Sequence, residues 1–450
     1  MNQIDENKSN KILWMSVISG MSIIVFYIVN YMFLKIAFNP YEFSMFVLIA
    51  TVSSYSYFKN MDFLNPLFYF PILYFLLYWI GNFNFNGLYP SIPQKMWELF
   101  LLGIIGFYGG SMLTSKIVFK RMRSYMTIET MSQGSKLILS LIFVVCVFSK
   151  MIIFIRNGIP MLSGNIDASR QSAAEDFGIL KVISSAYPIL SVYFFYDFIM
   201  QKKKFNNIRW LNIILMLIAV LMAVLEGSRI LIIQMILPMF FIWNIKVRRL
   251  HLRRVVLYIF LILLFIGVNK FVRNVIDDPN YFSYVMGTRQ SGLFGNIMLS
   301  SFTSFRVGID CFRQLVNLVP QAVDYTHGQM FFNSILSVLP GKQIIIGYYV
   351  AQLLGLNFDG IGAATTILGL FYLDGGPVLI LFGMMIFGAL INVNYLRNIH
   401  TGQISLVNLA SIYIIYYSIY CLRTNVMPNI DPILTIFYYI VFSYIIKKVK

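Results

Sequence analysis

Long apolar runs separated by short polar connections dominate the chain. Crossing a hydrocarbon core takes about 20 apolar residues in a helix, and twelve runs approach that length. They fall at approximately 12–34, 41–58, 63–82, 96–115, 137–155, 179–200, 210–226, 230–245, 255–271, 376–396, 405–422 and 432–446. The first lacks a small-residue cleavage site and is expected to be an uncleaved anchor. The pattern predicts an all-α polytopic membrane protein of about twelve transmembrane helices, forming one transmembrane domain over residues 1–450.

Three connections interrupt this economy. Residues 156–178 form a polar loop, RNGIPMLSGNIDASRQSAAEDFG, and residues 227–229 a tight GSR turn between two runs. Residues 272–375 form a loop of about 100 residues, a length that usually marks function or disorder. Within it Met298, Phe302, Phe305, Ile309, Phe312, Val316 and Val319 recur at three and four residues, the spacing of an amphipathic helix. Its polar flank carries Arg306, Asp310 and Arg313. His327-Gly328 opens a second helix, QMFFNSILSVL, which Pro340-Gly341 closes. Such helices suit the membrane–water interface, and the expected architecture is a cavity roofed by the 272–375 loop.

Composition agrees: 58% hydrophobic and 12% charged residues exclude a soluble enzyme or nucleic-acid reader. The net charge of +17 has a topological cause. Placing the N-terminus in the cytoplasm assigns 21 lysines and arginines but only four acids to the cytoplasmic side, which accounts for the whole excess. The C-terminus then also lies in the cytoplasm, and no nucleic-acid partner is needed. Cytoplasmic segments use 13 Lys and 8 Arg, whereas outer segments use 3 Lys and 8 Arg. Guanidinium is the planar fork suited to phosphate. The three cysteines, Cys146, Cys311 and Cys421, show neither disulfide-framework nor metal-ligand spacing.

The order of these features resembles a known family. GIPMLSGNIDASR, then LEGSRILII between two spans, then a long outer loop with an arginine-bearing helix and an LPG stretch, then TTILGLFYLDGGPVLILFGMMIFG, is similar to the O-antigen polymerases. These are the oligosaccharide repeat unit polymerases of bacterial surface polysaccharide assembly. The likeness covers roughly residues 150–396. It implies a glycosyltransferase of the bacterial cytoplasmic (inner) membrane, acting on the outer face to join undecaprenyl-pyrophosphate-linked repeat units into O-antigen or capsular polysaccharide. It implies a lipid-linked glycan as both donor and acceptor, inverting transfer, and neither metal nor nucleotide-sugar cofactor. A chain-length regulator is a further candidate partner. Where many relatives read Pro-Arg, this chain has Pro340-Gly341-Lys342, so Lys342 would substitute as a point charge.

A departing diphosphate needs fixed cations when no metal is present. The candidates are Arg170, closing the first motif; Arg229, in the GSR turn; Arg273 and Arg289, in the long loop; and Arg306, on its amphipathic helix. Arg306 and Arg313 bracket Asp310, which also fits a plain helix-surface ion pair. The acceptor hydroxyl needs a base. His327, the one histidine on the outer side, and Asp310 are the candidates, with Asp277-Asp278 competing. GLFYLDGGP at 369–377 reads as an interfacial anchor. Arg423 reads as an anchor or a partner of Asp431, and Lys150, Lys181 and Lys270 receive no role. An O-antigen ligase using the same donor, and a lipid-linked oligosaccharide flippase, are the alternative functions.

Overall fold

The computed structural model of the protein describes residues 2–33, 38–60, 62–82, 91–118, 128, 130–162, 178–201, 207–248, 264, 267–268, 293–337, 346–356, 363–400, 404–428 and 430–449. Among them every regular element is a helix. The chain begins with α1 (Asn2–Tyr27), extended by a π-helical turn to Phe33, followed by α2 (Pro40–Asn60), α3 (Pro66–Gly81) and α4 (Gln94–Val118). Next come α5 (Gln133–Asn157), α6 (Gly178–Ser184), α7 (Tyr187–Met200), α8 (Asn207–Leu225) and α9 (Arg229–Lys246). The long loop contributes α10 (Leu293–Leu318), α11 (Gln329–Leu336) and α12 (Ile346–Leu353). The chain closes with α13 (Gly369–Asn394), α14 (Ala410–Arg423) and α15 (Asp431–Lys448). Each predicted apolar run coincides with a helix except 255–271, almost all of which lies outside the described residues.

Among the described residues, five segments are long and apolar enough to cross a membrane: Trp14–Met32, Gln94–Ser115, Gln133–Leu162, Gly178–Met200 and Gly369–Ile399. Three shorter apolar helices, Pro66–Gly81, Arg209–Leu225 and Leu231–Lys246, pack among them. The outward faces are greasy: Leu141, Phe148, Ile155, Leu217, Phe382 and Ile440 are all exposed. In water that would be a liability, and in hydrocarbon it is the solvated surface. The protein is a helical membrane protein.

The buried residues form two cores. One joins α1–α4 to α10, α11, α12 and α13 around Phe70, Tyr74, Phe100, Phe312 and Leu373. The other joins α5, α7, α8, α9, α14 and α15 around Leu139, Tyr193, Phe194, Ile412 and Tyr439. Between lipid-bathed helices apolar burial gives little drive, so close backbone approach and interhelical hydrogen bonds matter more. The α4–α13 seam uses both. A Cβ at Gly106 would fall 2.5 Å from the Leu381 carbonyl oxygen, and one at Gly110 or Gly388 would collide with the Met385 or Phe107 carbonyl. Ser111 Oγ donates to the Gly388 oxygen at 3.0 Å, and Asn392 Nδ2 donates to the Ser111 oxygen at 2.6 Å.

The amphipathic helix of the long loop forms as expected and its apolar stripe is enclosed: α10 is part of the first core, with Ile309, Phe312, Leu315, Val316 and Val319 buried and Phe312 packed on Phe100 at 6.0 Å between ring centroids. Its polar flank turns inward as well, leaving Arg306 only 1% exposed. The GLFYLDGGP stretch departs from expectation. Asp374 is buried and accepts hydrogen bonds from the Thr326 hydroxyl (2.5 Å), Met330 N (3.2 Å) and Phe331 N (3.1 Å). It caps the N-terminus of α11 from another helix, where negative charge meets unsatisfied N–H groups. Directly after it, Gly375 and Gly376 leave helical geometry, and Gly376 takes a φ of 65° against the Tyr325 ring.

Candidate functional site

A cavity of about 310 Å3 opens where seven helices meet. Lys150 comes from the last third of α5, Lys181 and Ser184 from α6, and Ser185 and Tyr187 from the turn into α7. Glu226 and Ser228 flank the turn between α8 and α9, and Gln234 lies farther along α9. The α14 face supplies Tyr413, Tyr416, Tyr417 and Tyr420, while Asp431, Pro432 and Thr435 begin α15. From Tyr420 to Tyr413 is two helical turns, so the recess reaches about 10 Å along the axis.

Local sequence explains each wall. Gly227 takes a φ of 63°, and the Gly227 N to Val224 O and Ser228 N to Ala223 O bonds make a Schellman end for α8. Ser228 Oγ then accepts from Leu231 N at 3.4 Å and starts α9. The turn thereby fixes Glu226 in the cavity wall. Lys150 Nζ meets Glu226 Oε2 at 2.8 Å, with side chains 9% and 19% exposed. Either charge alone at that depth would be costly, and the pair makes both tolerable. The α14 tyrosines recur at three and four residues and stack in rows. Tyr413 and Tyr417 lie 5.5 Å apart between centroids, and Tyr416 and Tyr420 lie 6.4 Å apart. Tyr417 donates to the Val426 oxygen at 2.7 Å, fixing the segment between α14 and α15. Tyr438 donates to the Val182 oxygen at 2.5 Å and pins α6 against α15. Tyr420 is within electrostatic reach of both Arg423 and Asp431.

The residues singled out from sequence are distributed otherwise. Arg170, Arg273, Arg289 and the Asp277-Asp278 pair lie outside the described residues. Arg229 is the first residue of α9, directly after the cavity-lining Ser228, and its side chain is outside the described atoms. Arg306 Nε donates to Asp310 Oδ2 at 2.9 Å, and Arg313 Nη2 stands 3.6 Å from Asp310 Oδ1. That is the ion-pair arrangement which the spacing also allowed. His327 is exposed, with a φ of 48°, in the turn that enters α11. Neither His327, Asp310 nor Arg306 lines the cavity.

The cavity instead gathers Lys150 and Lys181, which sequence reasoning left without a role, together with Glu226. Two signals were present: lysines inside apolar runs, and a tyrosine stripe at helical spacing within YIIYYSIY. Among the described residues no three His, Cys, Asp or Glu side chains converge as a metal-binding set. The arrangement offers hydroxyls, an amide, aromatic faces and balanced charges, a surface suited to a polar, uncharged ligand. Comparison with protein-family models, curated proteins and solved structures returns no match.

Proposed function

We propose that the protein is a polytopic membrane glycosyltransferase with about twelve spans and both termini in the cytoplasm. It joins undecaprenyl-pyrophosphate-linked oligosaccharide repeat units into a surface polysaccharide on the outer face of the bacterial cytoplasmic membrane. The observation that carries this reading is the polar, tyrosine-walled recess between apolar helices. Positive-inside topology puts that recess at the outer ends of its helices. The two connections that carry Arg170 and Arg229 join walls of the same recess, α5 to α6 and α8 to α9.

In this reading the donor's diphosphate is held by guanidinium groups of the outer segments, Arg170 and Arg229 first, with Arg273 and Arg289 as further contributors. Charge grows on the bridging oxygen as the glycosidic bond breaks, and fixed forks of N–H donors stabilise it. The acceptor hydroxyl attacks the anomeric carbon from the opposite side, so the configuration inverts. Its proton passes to a carboxylate. Asp431 and Glu226 line the recess, whereas Asp310 does not.

The test is incubation of purified protein with lipid-linked repeat units, followed by sizing of the glycan. A ladder of longer lipid-linked chains is expected. Glycan appearing on lipid A-core instead would make the protein a ligase. Transbilayer movement in proteoliposomes without any elongation would make it a flippase.

A further inference from the structure

A diphosphate and a sugar ring ask for different surroundings. The first needs cations with no carboxylate of their own, and the second needs hydroxyl and amide partners together with flat apolar faces. The charges in the recess are balanced: Lys150 is bound to Glu226, and Lys181 shares the lining with Asp431. A diphosphate placed there would find each cation accompanied by a carboxylate, so the lining offers it no net positive charge.

The rest of the lining is what a pyranose would use. Ser184, Ser185, Thr435 and the Gln234 amide carry both donors and acceptors. Tyr417 and Tyr420 are half-buried, whereas Tyr413 and Tyr416 are buried at 3% exposure. The volume, about 310 Å3, sits at the lower end of the range for small-ligand sites. It has room for a sugar residue or two, not for a lengthening chain.

We infer that this recess is a subsite for uncharged sugar residues, and that the diphosphate of a lipid-linked substrate binds outside it. The second half of the inference rests on the transferase reading; the first half stands on the lining alone. Tyr417 and Tyr420 present ring faces to the sugar, Gln234 and the Lys150–Glu226 pair bind its hydroxyls, and Asp431 turns away a uronate carboxylate.

The experiment is saturation-transfer NMR on the full chain in nanodiscs free of sugar-based detergent. The probes are galactose, N-acetylglucosamine, glucuronic acid and inorganic pyrophosphate. Transfer to the two neutral sugars is expected, weakened about fivefold by Tyr420→Ala but not by Tyr420→Phe, as loss of one ring face predicts. Gln234→Leu serves as a second variant, and monodisperse gel filtration controls for folding. Pyrophosphate should leave the neutral-sugar signal unchanged.

Displacement of the sugars by pyrophosphate, preference for glucuronic acid, or no transfer to any neutral sugar would each overturn the assignment. Elongation activity separates the two claims. A ladder formed by protein that binds no neutral sugar sinks the subsite alone, whereas sugar binding without elongation by any preparation sinks the transferase reading alone.

Discussion

Lys150 and Glu226 illustrate what a charge costs when helices are surrounded by hydrocarbon. Held at 2.8 Å, each makes the other's burial bearable, and removing one leaves an uncompensated charge. Lys150→Ala should therefore cost about 3 kcal/mol of stability, read as a lowered thermal midpoint in detergent. A Lys150→Met, Glu226→Met double substitution should recover most of it, and a double variant as unstable as the single would refute the pairing account. Few of these site residues could be picked out from sequence. A lysine in an apolar run is indistinguishable from one that snorkels to the surface until its partner is known. Glu226 is distant in the chain, and the packing of α5 against α8 brings it to Lys150. The reverse holds for Arg306 and Asp310, whose spacing was legible but fits an ion pair as well as a binding site.

Among the elements, the α4–α13 seam makes the sharpest demand on side-chain size. Gly110→Leu should cost at least about 3 kcal/mol, because the added atoms overlap the Met385 carbonyl and the helices must part. Gly109→Ala makes the control: nothing lies within 4 Å of the point where its Cβ would stand, so stability should hardly change. Equal loss in both variants would show that helix propensity, not the seam, is being measured. Asp374 supports a different prediction. Asp374→Ala removes the acceptor for Thr326, Met330 and Phe331, and a lost N-cap costs about 1 kcal/mol, more when charged hydrogen bonds go with it. Hydrogen exchange over residues 325–336 should quicken while α15 stays protected. Helix positions were largely readable from hydropathy, because long apolar runs stand out against short polar connections. The inward turn of α10 was not, since periodicity identifies an apolar stripe without saying whether the polar flank meets water or a neighbouring helix.

For the whole molecule, orientation is the claim most directly open to measurement. The three native cysteines are buried, so added ones report cleanly. Leu162→Cys, at a residue 78% exposed just beyond the end of α5, should react in intact cells with a membrane-impermeant maleimide. Lys447→Cys, at the other end, should react only after the membrane is opened; the opposite pattern would invert the topology and move the recess to the cytoplasm. The recess also has an electrical consequence. Water entering it to a depth of about 10 Å would replace roughly a third of the insulating slab of about 30 Å. The resting voltage would then drop over the remaining thickness, giving a field about one and a half times steeper beneath the recess than in the surrounding lipid. Tyr193, Tyr439 and Phe442, packed without exposed gaps in the second core, stand in that stretch and act as its dielectric.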